Sequence, residues 1–287
     1  MIDWDEARAR FARDGVVFLP QVLDAGQQAA ALEAWTWSLA HPALGGKVAQ
    51  ATDSTFYQDL YNPRVLEGYR PMLEASPLPE ICARLWGTDR VWFMYEQVFL
   101  KEGGETRRTP WHQDGSYLPI GGLDTAVAWI TFDPASQADS LEFVPGSHRG
   151  TIYNGSSFAL GDDTAPLFAD SDLPRLPDIE AERGEAERGE VERWDAGRWP
   201  IVSWPVTPGD IVMFDVATLH GGAATHPGRR RRTLTLRFFG ERAVYAPKAR
   251  RTSLPNVPGL GERLAPGDPF RDERFLQLWP RADAKVG

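Results

Sequence analysis

The sequence predicts a mainly β domain, a sandwich or jelly roll with helices gathered at its N-terminal end. Three observations lead there. From Arg90 onward, apolar residues come in short runs rich in β-branched and aromatic side chains. Pro145-Gly146, Pro208-Gly209-Asp210 and Gly221-Gly222 punctuate those runs, with no helical stretch between them, which argues against βαβ units. The segment before Arg90 carries helix caps and helical spacing instead. No linker divides the 287 residues, so one composite domain is expected over 1–287. It has a mostly helical part (1–90), a β core (91–240) with an insertion at about 150–200, and a C-terminal extension (241–287).

Taken in order, residues 3–14 read as a short amphipathic helix with Phe11 inward, closed by Asp14-Gly15. Val16–Leu19 is a buried strand stopped by Pro20. Asp24 with Gln27 forms a capping-box pattern that opens a helix to about Ala40, with Ala31, Leu32, Trp35 and Leu39 as its packing face. A third helix covers Leu78–Trp86. Strands are expected at Val91–Lys101, Thr109–Tyr117, Thr125–Phe132, Leu141–Val144, Ile201–Val206, Ile211–Asp215 and Thr233–Phe239. Residues 180–193 nearly repeat with a period of five and interleave Glu with Arg. They read as a solvated excursion, or as a cover over the site.

Composition removes several function classes. The net charge of -9 argues against a nucleic-acid partner. The lone Cys82 excludes an intrachain disulfide and a thiolate zinc cluster, and its apolar neighbours make it core filling. No apolar run approaches the roughly 20 residues that cross a bilayer, so no membrane partner is expected. The acidic start lacks the basic and apolar regions of a signal peptide, and a reducing cytoplasm is the expected compartment. The partner that remains is a small-molecule substrate; oligomeric state is not written in the sequence.

The chemistry points to Thr109-Pro110-Trp111-His112-Gln113-Asp114-Gly115, answered by Leu219-His220-Gly221 and then Arg231, eleven residues past His220. In a strand, His112 and Asp114 point to one side. A distant imidazole, His220, would complete two histidines and one carboxylate around a metal with three open positions. That donor set suits iron(II), manganese, cobalt or zinc. His41 at a helix end, His148 in a turn and His226 in a polar loop read as structural or surface residues.

Arg231 favours iron(II). A buried guanidinium grips a carboxylate bidentately. A dicarboxylate that chelates a metal at one end and meets an arginine at the other is 2-oxoglutarate, with dioxygen (O2) taking the remaining metal position. Four arginines stand in a row at 229–232. On the strand, Arg231 shares a polar, inward face with Thr233, Thr235 and Arg237, and Arg232 an apolar, outward face with Leu234, Leu236 and Phe238. Arg229 and Arg230 read as solvated, Arg232 as pointing outward, and Arg237 as too far along to share the same ligand end.

These motifs resemble the phytanoyl-CoA dioxygenase family of iron(II)- and 2-oxoglutarate-dependent oxygenases over nearly the whole chain. The matching stretches are Phe11–Val17, Trp111–Asp114, Leu141–His148 and Pro208-Gly209-Asp210 through His220-Gly221, with Arg231 at the family's spacing. The resemblance implies a double-stranded β-helix, His112, Asp114 and His220 as iron ligands, and Arg231 as cosubstrate anchor. By position, Thr109, Gln97 and Trp129 are similar to pocket-lining residues of the family, and Thr233 joins them on the inward face. Asp139-Ser140 departs from the family's frequent Asn-Gly, which puts the turn there in doubt. Asp114 itself disfavours halogenation, which needs a small residue at that position.

The expected activity is hydroxylation of an aliphatic carbon of a small organic molecule, with release of succinate and carbon dioxide. The alternatives are desaturation, epimerisation or ring formation at the same site, or a non-catalytic, metal-containing jelly-roll binding protein. For an acyl-CoA substrate, Arg107-Arg108 and Arg250-Arg251 would meet the phosphates, while the acidic insertion argues the other way.

Overall fold

The computed structural model describes residues 2–43, 47–50, 54–103, 108–159, 161–169, 171–182, 199–222, 225–226, 228–248 and 254–281. Helix α1 (Trp4–Asp14) starts at Asp3, whose carboxylate accepts from the Asp5 and Glu6 N–H groups, and ends at Gly15 with φ 72°. A Cβ at Gly15 would lie 2.4 Å from His148 Nδ1, so only glycine lets the turn pass beneath that imidazole. Strand β1 (Val16–Leu19) follows, then α2 (Ala25–Ala40) with the Asp24–Gln27 capping box formed in full. A hairpin comes next, β2 (Lys47–Gln50) and β3 (Ser54–Leu60), before α3 (Val65–Ala75) and α4 (Leu78–Trp86).

Before Arg90, the hairpin and α3 are the elements that sequence pattern does not predict. Helix α3 carries Gly68 and Pro71 in its interior, both poor helix formers. Packing decides in its favour. A Cβ at Gly68 would fall 2.3 Å from the Trp37 ring of α2, and Tyr69 shares a 2.7 Å hydrogen bond with Ser38. Strands β2 and β3 extend the main sheet beyond the expected core, because β3 pairs with the long β4 (Val91–Gly103).

The remaining strands are β5 (Thr109–His112), β6 (Ile120–Gly122), β7 (Thr125–Thr131), β8 (Leu141–Phe143), β9 (Ile211–Phe214), β10 (His220–Gly222), β11 (Arg229–Gly240), β12 (Ala243–Tyr245) and β13 (Gln277–Trp279). The expected strand at Ile201–Val206 is instead a pair of isolated bridges, Val202 to Phe143 and Val206 to Ala135. One sheet runs β1-β9-β7-β11-β4-β3-β2, with β13 also on β4; the second runs β5-β10-β8. From β4 to β11 the chain alternates between them: β4, β7, β9 and β11 in the large sheet, β5, β8 and β10 in the small one. All pairings are antiparallel. This is a jelly roll, the double-stranded β-helix.

Two faces of the large sheet explain the rest. The outer face carries Leu234, Leu236, Ala126, Ala128, Ile130, Ile211 and Met213, packed with Phe11, Trp35, Leu73 and Leu85 of the helices. Each large side chain buried there contributes about 1.5–3 kcal/mol. Cys82 lies in this layer, and burial pushes its thiol well above the ordinary range. The inner face carries Trp129, Val127, Val212 and Phe214 facing Phe143 of the small sheet, together with the polar run Arg231, Thr233, Thr235 and Arg237.

One carboxyl sits on the apolar side. Glu96 is opposite Leu236, accepts from the Asn62 N–H at 2.9 Å, and leaves Oε2 buried without a hydrogen-bond partner. Burial pushes its pKa up to about 8. The native state therefore holds a proton that the unfolded chain releases near pH 4.5, and stability is lost as pH rises from there through about 8. The slope approaches 1.4 kcal/mol per pH unit. Thermal melts of Glu96→Gln, which is neutral in both states, are expected to lack this alkaline decline, and a wild type with flat Tm between pH 5 and 8 would contradict it.

Candidate metal centre

Strands β5 and β10 set His112 directly opposite His220. Their close approach needs Gly221, where a Cβ would lie 3.1–3.2 Å from the Thr109 carbonyl oxygen and the Trp111 Cα. Asp114 is not on a strand, contrary to expectation: β5 ends at His112, and Asp114 opens a 3-10 turn. Gln113 stays extended (φ −122°, ψ 125°), so the alternation persists one residue past the ladder and Asp114 still faces the same way as His112. Gln113 is fastened by its amide, which donates to the carbonyls of Ala217 and Thr151 and accepts from the Tyr153 N–H.

The three residues converge. His112, Asp114 and His220 each offer one ligand atom, and these lie within 4.8 Å of one another. Asp114 Oδ1 is 3.6 Å from His112 Nε2 and 3.9 Å from His220 Nε2, too far for hydrogen bonds and close to what ligands sharing one ion require. Both imidazoles are held identically. His112 Nδ1 lies 2.8 Å from the Pro110 carbonyl and His220 Nδ1 3.0 Å from the Thr218 carbonyl, each two residues back. A carbonyl only accepts, so each Nδ1 carries the proton and each Nε2 lone pair faces Asp114. Burial holds both imidazoles below the ordinary histidine range, His220 down to about 3 with His112 as the next cause. They are therefore neutral, as metal ligands must be. The donor set and its orientation fit a divalent metal.

Behind the carboxylate stands Arg237, assigned by strand spacing to the far end from Arg231. Its Nε and Nη2 donate to Asp114 Oδ2 at 3.0 and 2.8 Å. Burial alone would raise the Asp114 carboxyl, but Arg237 and the two histidines hold it below the ordinary range. Sequence pattern places Arg237 on the inward face without revealing this partner, because the pairing spans 123 residues.

The other expected residues distribute as follows. Arg231 is buried on the inner face, opposite Lys101, and its Nη1 donates to the Asp139 carbonyl at 2.6 Å. Burial lowers its guanidinium to about 10. Asp139 closes the 3-10 turn Gln137–Asp139, so the departure at Asp139-Ser140 lies against Arg231 itself. Thr233 is buried between Phe99 and Thr131, and Trp129 is buried opposite Thr235 and Val212. Gln97 Oε1 accepts from Arg237 Nη2 at 2.7 Å. Thr109 is half-buried at the far end of β5, opposite Gly222. Arg229 and Arg230 are exposed. Arg232 does not end in open solvent: Asp133 receives its backbone N–H, Nε and Nη2 at 2.8–3.0 Å.

Of the remaining histidines, His41 caps α2 and stacks on Trp37, His148 packs over Gly15, and exposed His226 lies 3.2 Å from Asp139. Two aromatics beside the site escape sequence reasoning. Tyr117 and Phe158 each set a ring edge-to-face on His112 at 6.0 and 5.5 Å. Phe158 is 43% exposed with φ 56°, held by its N–H to Ser156 Oγ at 3.0 Å. The period-five stretch lies, from residue 183 on, outside the described residues, as do Arg107, Arg250 and Arg251. Arg108 is engaged by Glu142 at 2.6 Å and by Glu180.

Fold and site together define the class: a double-stranded β-helix protein with two histidines and one carboxylate poised on one side of a common point. The phytanoyl-CoA dioxygenase (PhyH) family model matches residues 11–233, and the chain belongs to that family. A comparison with curated proteins finds no match. Among solved structures, the epimerase SnoN in complex with Fe3+, alpha ketoglutarate and nogalamycin RO is similar at TM-score 0.68 and 22% identity, over 96% of this chain and 98% of that one. The alpha ketoglutarate dependent carbocyclase SnoK from nogalamycin biosynthesis is similar at TM-score 0.63 and 21% identity, over 95% of each chain. EvdO2 from Micromonospora carbonacea var. aurantiaca complexed with 2-oxoglutarate follows at TM-score 0.55 and 22% identity, over 84% and 91%. At such identities the likeness is one of fold.

Removing the acid should cost more than removing an imidazole. In metal-free protein, Asp114→Leu strands a fully buried guanidinium, and denaturant unfolding is expected to show a loss of about 3–5 kcal/mol. His220→Ala strands no charge and is expected to cost clearly less; equal losses would mean the Asp114–Arg237 pair does not hold the site.

Proposed function

We propose that this chain is an iron(II)- and 2-oxoglutarate-dependent oxygenase that hydroxylates an aliphatic carbon of a small organic molecule. One observation carries the reading: the His112–Asp114–His220 set and the buried Arg231 share the inner face of one β-helix, with Thr233 and Thr235 between them on β11. A metal at the first position and a guanidinium at the second suit the two ends of a keto-diacid. Bound iron supplies the activation of dioxygen that drives decarboxylation of the cosubstrate to succinate and substrate oxidation. The chain's own part is to orient and enclose. His112, Asp114 and His220 would hold the ion. Arg231, with Thr233 beside it, takes the distal carboxylate.

The substrate side lies by His112, where Tyr117 and the half-exposed Phe158 offer an apolar wall. That suits a small molecule with an apolar or ring face. Of the arginines weighed for an acyl-CoA phosphate, Arg108 is the described one, and it is engaged by two carboxylates. A second reading keeps the site and changes the outcome to epimerisation or ring closure, the reactions named for SnoN and SnoK. Product mass separates the two. Hydroxylation adds one oxygen atom, epimerisation leaves the mass unchanged, and ring closure by dehydrogenation removes two hydrogens.

The anchor is testable without knowing the substrate. Succinate formation from 2-oxoglutarate with iron(II), dioxygen and ascorbate as reductant, and no substrate, is expected in wild type. Arg231→Ala should raise the 2-oxoglutarate requirement by about a hundredfold, the loss of a charge-assisted pair. Iron binding should stay unchanged, and Arg232→Ala should behave as wild type. An unaltered requirement in Arg231→Ala would remove Arg231 from this role.

A further inference from the structure

The two oxygens of Asp114 are not equivalent. Oδ2 receives both Nε and Nη2 of Arg237, while Oδ1 alone faces the histidine nitrogens. Arg237 is itself fixed on every side. Nη2 also donates to Gln97 Oε1 at 2.7 Å and Nη1 to Thr235 Oγ1 at 2.8 Å, and the guanidinium lies 4.5 Å over the Tyr95 ring. It is 3% exposed, so no solvent competes for these donors. A rotation of the carboxylate that offered both oxygens to a metal would break two charge-assisted hydrogen bonds in a buried site.

We infer that Arg237 is a positioning residue that restricts Asp114 to one-oxygen coordination and cancels its charge, so that the loaded site binds an anionic bidentate chelator more tightly. The inference rests on the iron and 2-oxoglutarate reading above and states what sets the preference of that site. Its first consequence is spatial: a carboxylate confined to one oxygen occupies a single metal position and leaves room for a bidentate keto acid. Its second is electrostatic. Both histidines are neutral, and the one negative charge of the ligand set is matched by Arg237. A divalent ion there would therefore keep its two charges uncompensated and pull harder on the near carboxylate of a keto acid, the distal carboxylate being left to Arg231. Without Arg237 one of those charges would already be matched by Asp114, and the pull on the near carboxylate would be weaker. Arg231, at the other end of the inner face of β11, would take the distal carboxylate; Arg237 acts at the metal end, on Asp114.

The test compares opposite signs. Arg237→Gln keeps an amide donor toward Asp114 and removes the charge. Anaerobic titrations on wild type and variant follow iron(II) affinity, then 2-oxoglutarate affinity through the visible charge-transfer absorption of the iron–keto acid chelate. Iron(II) is expected to bind about tenfold more tightly to Arg237→Gln, and 2-oxoglutarate about tenfold more weakly, because one positive charge near the ion has gone. Weakening of both in parallel would reduce Arg237 to a structural prop and overturn the inference, as would no change in either.

Should Arg237→Gln fail to give the wild-type near-UV circular dichroism, Arg237→Lys carries the test. It keeps the charge but cannot brace Oδ2 with two N–H groups. Its cobalt(II) derivative is expected to show visible bands shifted from those of wild type as the freed carboxylate oxygen displaces another ligand, with 2-oxoglutarate bound about tenfold more weakly because that oxygen competes for its position. A cobalt spectrum identical to wild type would overturn the inference. Wild-type protein that binds iron(II) but develops no charge-transfer band with 2-oxoglutarate would instead remove the underlying functional reading.

Discussion

The interaction on which the site depends is the buried pair between Arg237 and Asp114. It joins the large sheet, through β11, to the turn that leaves β5 in the small one. The two sheets otherwise meet through apolar contacts such as Phe143 on Phe214, which are non-directional and would tolerate small slips. A guanidinium clamped by Asp114, Gln97 and Thr235 tolerates none. A buried ion pair is weak evidence for net stability, because desolvation offsets much of the attraction. Its value here is registration: it fixes where one carboxylate oxygen stands relative to two imidazoles carried on different strands.

The imidazoles are fixed by a second, repeated device. Each Nδ1 donates to the carbonyl two residues back, and each ring is then wedged by aromatics, His220 against Phe214 and His112 against Tyr117 and Phe158. Neutrality follows from burial, so the nitrogens do not have to shed protons to face a metal at neutral pH. At the other end, Arg231 and Lys101 stand opposite each other, and burial followed by the charge of Arg231 presses the lysine well below its ordinary range. The inner face thus carries buried Arg231 at one end and the metal-fitting set at the other.

The outer face shows why a charged interior is affordable. Leu234 and Leu236 alternate with Thr233, Thr235 and Arg237 on one strand, and the apolar set packs beneath four helices. Glu96 interrupts this layer from β4 and stays protonated at neutral pH because burial disfavours its charge more than the Asn62 N–H and the charge of Arg237 favour it. The same strand serves both layers because successive side chains of a β-strand point to opposite faces.

What the sequence determined by itself was whatever depends on local period and spacing. The capping box at Asp24 and Gln27, the two-residue alternation of β11 and the H-x-D pair are all legible because each is decided within a few residues. So is the inward burial of Arg231, since strand parity separates it from Arg230 and Arg232. Tertiary structure alone decided the rest. Helix α3 exists despite Gly68 and Pro71 because Trp37 needs the space over Gly68. Asp114 reaches the metal point from a 3-10 turn rather than a strand, and Phe158 arrives beside His112 from 46 residues away. Arg237 finds Asp114 only once the two sheets close, because a contact across 123 residues leaves no periodic trace in either segment.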